Sequence, residues 1–421
     1  MILLKNYIGN FLARAGSRIL FASIIARGFS FLASWIALQL IPNKELGIIL
    51  FAFNIVQFLI PIGGFGLHQG LIRYGSMLKS KAEKDVLFAY VFKNGLLTSI
   101  LLILITILIG FLIPFEFKNT SLYLSILMLS IIPTFILEII QIQFRLKHDN
   151  KSFANIEILH SIILVITIFL LSYFFKANGY IAALIFTPLL TSLVFIRKLN
   201  INFKIKEKLS IINFSFWKYG VFAGLSNVVT QLLFAVDIIL IGFILNNSEM
   251  VTVYKYLTLI PFSLQFLPRA FINADFVSFT ENIRNKKYIT NYIKSYILLF
   301  SLISIVTCFF FGLFSNEVLN LFDSTFEEYN DTFLILIYGI CGILIFRGLF
   351  GNLLSSIGKA HVNFYITSIA LIINVISNYH LIPELGIKGA AITSALLMWF
   401  TGIASAILFW RFYNNRFLKT E

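Results

Sequence analysis

The chain has 421 residues, of which 59% are hydrophobic and only 12% are charged, and its formal net charge is +14. Soluble globular domains have about a quarter of their residues charged, so this composition excludes a soluble fold and predicts an all-α integral membrane protein. The two cysteines, Cys308 and Cys341, lie in apolar segments without a CxxC or histidine companion. We therefore expect neither a disulfide framework nor a metal site, and we assign both thiols to packing.

Apolar segments separated by charged or turn-rich breaks predict twelve transmembrane helices. Each is close to the roughly 20 residues that an α-helix needs to cross about 30 Å of hydrocarbon. In chain order the predicted helices occupy residues 19–41, 46–72, 87–113, 121–144, 154–175, 179–196, 214–245, 252–277, 291–314, 331–356, 361–381 and 388–410.

The basic residues test this topology, because lysine and arginine collect in cytoplasmic loops. On the side of the amino terminus the predicted loops and helix ends hold 25 basic residues, whereas the opposite side holds five. Those five are Lys44, Lys118, Lys176, Lys255 and Lys388. The asymmetry predicts that both termini lie in the cytoplasm.

The positive charge is spread over seven short cytoplasmic segments and forms no single stripe with interleaved aromatic residues. Membrane topology accounts for this pattern, so we expect no nucleic-acid partner. Some of the basic residues are placed to contact anionic lipid head groups.

A weak internal repeat indicates two halves. Residues 179–183 and 386–390 share a Gly-x-x-small-Ala pattern with an offset of 207, and the turns at 43–45 and 247–249 match with an offset of 204. An even number of spans per half makes the two copies parallel in the membrane. We therefore predict six-helix lobes at residues 1–197 and 214–421, joined by a basic cytoplasmic linker at residues 198–213.

Ionisable residues inside the predicted helices are candidates for function, because a charge at the centre of a helix costs about 2.5–3.5 kcal/mol on insertion scales. Arg27, Arg269 and Arg347 are predicted to line a central cavity that receives an anion. Asp237 and Glu138 are the candidates for proton coupling. An alternative stays open, in which Arg27 or Arg269 pairs with one of these carboxylates or with a backbone carbonyl to hold the bundle together.

Residues 61–66 interrupt the second predicted helix with a proline and three glycines, and Pro261 and Pro268 interrupt the eighth. Such breaks either bend between two states or are fixed kinks. Each of His68 and His160 lies near a helix end, and we expect both to be satisfied polar residues rather than parts of a proton pathway.

Several short motifs resemble those of a known superfamily. Residues 40–47, 64–67 and 71–74 look like the first hairpin of the polysaccharide-exporting branch of the multidrug/oligosaccharidyl-lipid/polysaccharide (MOP) superfamily. Residues 237–242, with Glu249 and Tyr254, resemble its signature across the seventh and eighth helices, and residues 385–391 resemble its last hairpin. One departure is Val251-Thr252, where that branch has glycine before the aromatic residue.

The resemblance implies a Wzx-type flippase, which moves an undecaprenyl-pyrophosphate-linked oligosaccharide across the bacterial inner membrane for O-antigen or capsule assembly. It implies a V-shaped bundle of two six-helix lobes that open alternately. The protein is then expected to work beside other polysaccharide assembly proteins and to need no cofactor. The three arginines suit this substrate, because arginine binds phosphate in a bidentate manner and stays charged.

Two other classes of function were weighed against the flippase. A drug or cation exporter of the same superfamily needs unpaired acids, whereas the three arginines favour an anion. A membrane polysaccharide polymerase or ligase needs a sizeable external loop, and the longest outer connection, residues 314–331, is short. Because no nucleophile, metal or cofactor motif stands out, we expect no enzymatic activity.

Overall fold

The structure is a computed structural model that describes residues 16–199, 201 and 209–417. Nearly all of these residues are helical, and none of them forms a strand. In the described part of the chain, eleven helical segments are long and apolar enough to cross a membrane.

The twelfth span comes from the longest segment, Asn150–Leu199, whose 50 residues would measure about 75 Å as a straight helix. Its backbone breaks at Lys176 (φ 50°, ψ −128°). The two arms run antiparallel, because the hydroxyls of Thr167 and Thr187 lie 2.7 Å apart and Lys198 Nζ donates to Ser152 Oγ at 2.8 Å. The segment is therefore a hairpin of two spans, which confirms the predicted twelve.

We number the spans α1 to α12. Four of them, α2, α4, α8 and α10, consist of two helical pieces. The bounds are α1 Gly16–Leu40, α2 Asn43–Leu59 and Leu67–Met77, α3 Lys81–Leu112, α4 Thr120–Met128 and Ile131–Leu146, α5 and α6 Asn150–Leu199 divided at Lys176, α7 Phe214–Leu245, α8 Ser248–Ser263 and Phe266–Glu281, α9 Lys286–Asn320, α10 Asn330–Gly342 and Gly348–Ser356, α11 Ala360–Leu385 and α12 Ile387–Phe417.

The described residues form two compact units. The N-terminal unit comprises Ile24–Ala235 and Asn246–Thr252, and the C-terminal unit comprises Val236–Leu245, residues 253–417 and the start of α1. The first two thirds of α7 thus pack in the N-terminal unit and its last ten residues in the C-terminal unit. Division into lobes at residues 1–197 and 214–421 stays a prediction, and most of the predicted linker at 198–213 lies outside the described residues.

Two turns reveal the register of the internal repeat. The turn after α4 has His148 at φ 59°, and the turn after α10 has Gly358 at φ 77°. Their backbone hydrogen bonds correspond one to one: His148 N donates to Arg145 O and Gly358 N to Ser355 O, each at 3.0 Å. The offset between the two turns is 210 residues.

The hairpin turns between α5 and α6 and between α11 and α12 have the same offset. Lys176 (φ 50°) corresponds to Gly386 (φ 60°). Three residues later, Gly179 and Gly389 lie against the carbonyl oxygens of Leu171 and Leu381, so closely that a Cβ would overlap them. Gly179 therefore corresponds to Gly389 rather than to Gly386, and the offset of 207 inferred from sequence was wrong by three residues at this hairpin.

Candidate functional site

Asp237, in the last third of α7, is the most completely hydrogen-bonded carboxylate inside a span of the described chain. Only 2% of the residue is exposed. Oδ1 accepts from Nδ2 of Asn374 and from Nδ2 of Asn378, each at 2.9 Å. Oδ2 accepts from Tyr254 Oη at 2.9 Å and from Ser394 Oγ. All five side chains belong to the C-terminal unit.

Four neutral donors therefore replace water around this carboxylate. A hydrogen bond to a charged group contributes about 1.5–3 kcal/mol, so four of them offset a large part of the cost of burying the charge. No described basic residue forms an ion pair with Asp237. Pairing of Arg27 or Arg269 with a carboxylate or a backbone carbonyl stays a prediction.

The cluster around Asp237 keeps its negative charge free to bind a small cation. Besides the carboxylate it contains the amide oxygens of Asn374 and Asn378 and the hydroxyl of Ser394, and oxygen is the ligand that hard cations prefer. Asn378 Oδ1 is buried without a hydrogen-bond partner. Within the described residues no group of three or more His, Cys, Asp or Glu side chains can hold a metal ion. The chemistry of the cluster suits a proton or a single monovalent cation.

Arg347 is a half-buried cation inside α10, in the same unit as Asp237. It ends a π-helical turn, Ile343–Arg347, and such turns are frequent at functional sites. Its guanidinium donates to Asn363 Oδ1 at 3.0 Å, Ser405 Oγ at 2.6 Å and Thr367 Oγ1 at 3.3 Å. All three acceptors are neutral, so the hydrogen bonds orient the guanidinium and leave its positive charge uncompensated.

Lys255 is a second cation inside the C-terminal unit. The charge count places it at the outer end of the eighth predicted helix, and in the structure it lies deeper, in the first piece of α8, seven residues or about 10 Å beyond the start at Ser248. Its side chain is half-buried, and no ion pair of its ammonium group occurs in the described chain. The sequence contains one sign of this position, which is the seven-residue separation of Lys255 from the turn at Asn247-Ser248.

Arg27 and Arg269 are exposed on their helices. Arg27 lies in the N-terminal unit. Arg269 lies in the second piece of α8, in the C-terminal unit. A cavity shared by Arg27, Arg269 and Arg347 stays a prediction.

Glu138, on α4 of the N-terminal unit, lies beside a histidine and not beside an arginine. Its Oε2 atom is 3.9 Å from Nε2 of His68. This neighbour was not anticipated, because His68 is 70 residues away in the sequence and showed no motif of its own.

The sequence profile of a family described as "Polysaccharide biosynthesis protein" matches residues 12–268 of the chain. No curated protein sequence matches it significantly.

Solved structures share the fold at low sequence identity. "Lipid II flippase MurJ, inward closed conformation" is 17% identical with a TM-score of 0.69, over 93% of this chain and 87% of that chain. An inward-facing multidrug resistance MATE family transporter of the MOP superfamily is 14% identical with a TM-score of 0.71, over 95% and 98%. A MOP superfamily transporter from Pyrococcus furiosus is 13% identical with a TM-score of 0.64, over 96% and 95%.

These similarities confirm the predicted fold class, which is the all-helical fold of the MOP superfamily. The proteins that share it are transporters and flippases, and this chain is a multi-pass membrane protein of the same architecture.

Proposed function

The chain belongs to the polysaccharide biosynthesis protein family, and we propose on that premise that it is a flippase for an undecaprenyl-pyrophosphate-linked oligosaccharide, an O-antigen or capsule repeat unit. It acts in the bacterial inner membrane with both termini in the cytoplasm, and it moves its substrate by alternating access. The observation that carries this proposal is Arg347, an arginine inside a span whose hydrogen-bond acceptors are all neutral.

Arg347 attracts the pyrophosphate of the substrate. A pyrophosphate carries negative charge in the part of the molecule that must cross the hydrocarbon, and an arginine of fixed orientation offers it paired N–H donors. Asn363, Thr367 and Ser405 orient the guanidinium without neutralising it. Its positive charge can therefore form an ion pair with the substrate. Lys255, Arg27 and Arg269 add positive charge along the path, while the lipid tail of the substrate stays among the membrane lipids.

Asp237 couples transport to a cation gradient. A buried carboxylate held by four neutral donors has no fixed counter-charge, so binding one proton or one monovalent cation changes the net charge of the cluster from −1 to zero. Tyr254, Asn374, Asn378 and Ser394 come from α8, α11 and α12, so a change in charge at Asp237 acts on the packing of these helices with α7. Glu138 is the corresponding candidate in the N-terminal unit.

The second candidate function is export of a drug or cation, which the similarity to MATE transporters and the uncompensated Asp237 favour. The two functions make opposite demands on Arg347. An anionic substrate needs this positive charge, whereas a cationic substrate is repelled by it.

The test is to replace Arg347 with Ala and with Lys and to measure surface polysaccharide in a strain that lacks the gene, at matched amounts of membrane protein. Loss of a charge-assisted contact with phosphate lowers transport by about 10–100-fold in Arg347→Ala, and Arg347→Lys retains part of the activity. Arg411→Ala, at an exposed position near the end of α12, is the matched control and keeps full activity. Full polysaccharide with Arg347→Ala contradicts the proposal. Normal polysaccharide in the deletion strain together with altered resistance to cationic drugs favours the exporter.

A further inference from the structure

α2 is interrupted by a segment with a strained backbone. Gly63 is extended (φ −50°, ψ 138°), and the next three residues, Gly64, Phe65 and Gly66, have positive φ angles of 58°, 50° and 69°. Phe65 is strained in this region, because a side chain other than glycine costs of order 1–3 kcal/mol there. The packing around the segment must therefore hold this conformation in place.

One face of α4 supplies that packing. Ile131, Phe135 and Glu138 are spaced at i, i+4 and i+7, so they share a stripe of the helix. A Cβ on Gly63 would lie 3.3 Å from Cγ2 of Ile131, and a Cβ on Gly64 would overlap the ring of Phe135. Gly64 is thus required for the close approach of α4 to the break, and Gly63 leaves little room for a side chain.

His68 completes this contact in the first turn after the break. Its ring meets the ring of Phe135 edge to face, with the centroids 6.4 Å apart, and its Nε2 is 3.9 Å from Oε2 of Glu138. His68 is 4% exposed, whereas about a third of the Glu138 side chain, 34%, is exposed. Glu138 therefore connects a buried imidazole with the surface of the helix bundle.

Both polar side chains have an atom without a hydrogen-bond partner. Nδ1 of His68 and Oε2 of Glu138 are buried and form no hydrogen bond. Each such atom costs about 1–3 kcal/mol, and unsatisfied buried groups in native structures are rare enough to indicate a functional use. The histidine is thus only partly satisfied, with the backbone of Gly63 as its other polar neighbour.

We propose that His68 and Glu138 together bind one proton and that this proton controls the bend of α2 at residues 61–66. With the proton bound, the pair is neutral overall, either as imidazolium and carboxylate or as imidazole and carboxylic acid. Release of the proton through the exposed part of Glu138 leaves one net negative charge beside a buried neutral imidazole. The negative charge then lies partly on Oε2, which is buried and has no hydrogen-bond donor, and this is destabilising, so the protein relaxes by moving His68 and Glu138 apart. The break in the helical backbone lies directly before His68, so this movement changes the bend of α2 there.

The other charged groups on the helices around this pair are engaged elsewhere or exposed. On α3, Asp85 bonds to Lys147 Nζ at 2.8 Å and Lys84 Nζ donates to Leu146 O at 2.8 Å. Arg145, on α4, lies over the ring of Phe153. The other titratable groups on these helices include the exposed Lys44, Arg73, Lys81, Lys93, Lys151 and Lys218, Glu45 beside Tyr123, Glu83 in the cap of α3, Tyr74 bonded to Ser215, Tyr219 beside Arg73, Tyr90 bonded to Trp217, Glu157 near Arg27, and His160 beside Thr191. Among the described residues, neither His68 nor Glu138 forms an ion pair with any group other than its partner in this pair.

The role of this bend in transport rests on the proposed function. The experiment that tests the bend itself uses no substrate. The full chain with Cys308→Ser and Cys341→Ser is spin-labelled at Lys44→Cys and Ser76→Cys, two exposed positions near the ends of α2, and placed in lipid nanodiscs. The distance between the labels is then measured at about pH 5 and about pH 8, on either side of the ordinary histidine range.

We expect two distance populations whose ratio changes by up to about tenfold per pH unit, because one proton is bound. Glu138→Gln, which cannot lose a proton, keeps the low-pH distance at both pH values, and His68→Asn also abolishes the pH response. Glu157→Gln is the matched control and retains it. Identical distances at both pH values in the parent, or an unchanged pH response in the Glu138→Gln or His68→Asn chain, overturn the proposal. Neither outcome depends on flippase activity, so the two proposals fail separately.

Discussion

The amide nitrogen of Asn378 lies 2.9 Å from Oδ1 of Asp237, although 141 residues separate the two in the sequence. Asn374, one turn earlier on α11, donates to the same oxygen, and its own Oδ1 accepts a second hydrogen bond from Asn378 at 2.8 Å. The two asparagines thus bond to each other and to one buried carboxylate. This mutual bonding ties α11 to the end of α7.

Replacing Asn378 with Leu removes one donor from Asp237 and leaves the Oδ1 atom of Asn374 without its partner. We expect the free energy of unfolding to fall by about 1–3 kcal/mol for each buried group left unpaired. The measurement is thermal unfolding in one detergent. Asn352→Leu is the control, because Asn352 Nδ2 bonds only to Gly348 O of its own helix, at 2.8 Å. Equal melting temperatures for the two variants contradict this account of the cluster.

Gly66→Ala is expected to destabilise the protein strongly. Gly66 has φ 69°, and a Cβ there would overlap the carbonyl oxygen of Gly220 on α7. The left-handed backbone alone costs about 1–2 kcal/mol for a residue with a Cβ, and the overlap adds to it. Gly312→Ala, in the interior of α9 with no atom within 4 Å of the added Cβ, is expected to gain up to about 1 kcal/mol. Opposite shifts in thermal unfolding confirm the prediction, and shifts of the same sign refute it.

The two hairpin turns allow a reciprocal exchange. Lys176 occupies a backbone conformation that its counterpart Gly386 adopts without strain. Lys176→Gly should therefore stabilise the protein and Gly386→Lys destabilise it, each by about 1–3 kcal/mol. Thermal unfolding of the two single variants measures this. Destabilisation by Lys176→Gly would show that the two turns are not equivalent.

The starts of α2 and α8 should face the same side of the membrane. Thr252 Oγ1 donates to Asn43 O at 2.7 Å within the N-terminal unit, across 209 residues of sequence. The charge asymmetry predicts that this side is external. A cysteine placed at Asn247 should react with an impermeant maleimide in intact cells, and one at Lys79, after the end of α2, only after permeabilisation. Labelling of both positions in intact cells refutes the twelve-span topology.

The number of spans, their approximate bounds and the fold class could be predicted from the sequence. Each depends on local quantities, namely the length of an apolar segment and the side on which basic residues collect. Arg347, Asp237 and Glu138 were found in the same way, because an ionisable residue stands out against an apolar segment whatever its partners are.

Only the tertiary structure decided which residues meet. The donors to Asp237, the acceptors of Arg347 and the approach of His68 to Glu138 depend on the rotation and depth of helices that are far apart in the chain. The thiols of Cys308 and Cys341 lie 3.5 Å apart, and this contact could not be predicted from their spacing in the sequence. In a bundle of uniformly apolar helices, hydropathy indicates that a helix spans the membrane. It gives little information about how the helix is rotated about its own axis. Close packing at glycines and hydrogen bonds between buried polar groups fix that rotation, and both require the neighbouring helices to be in place.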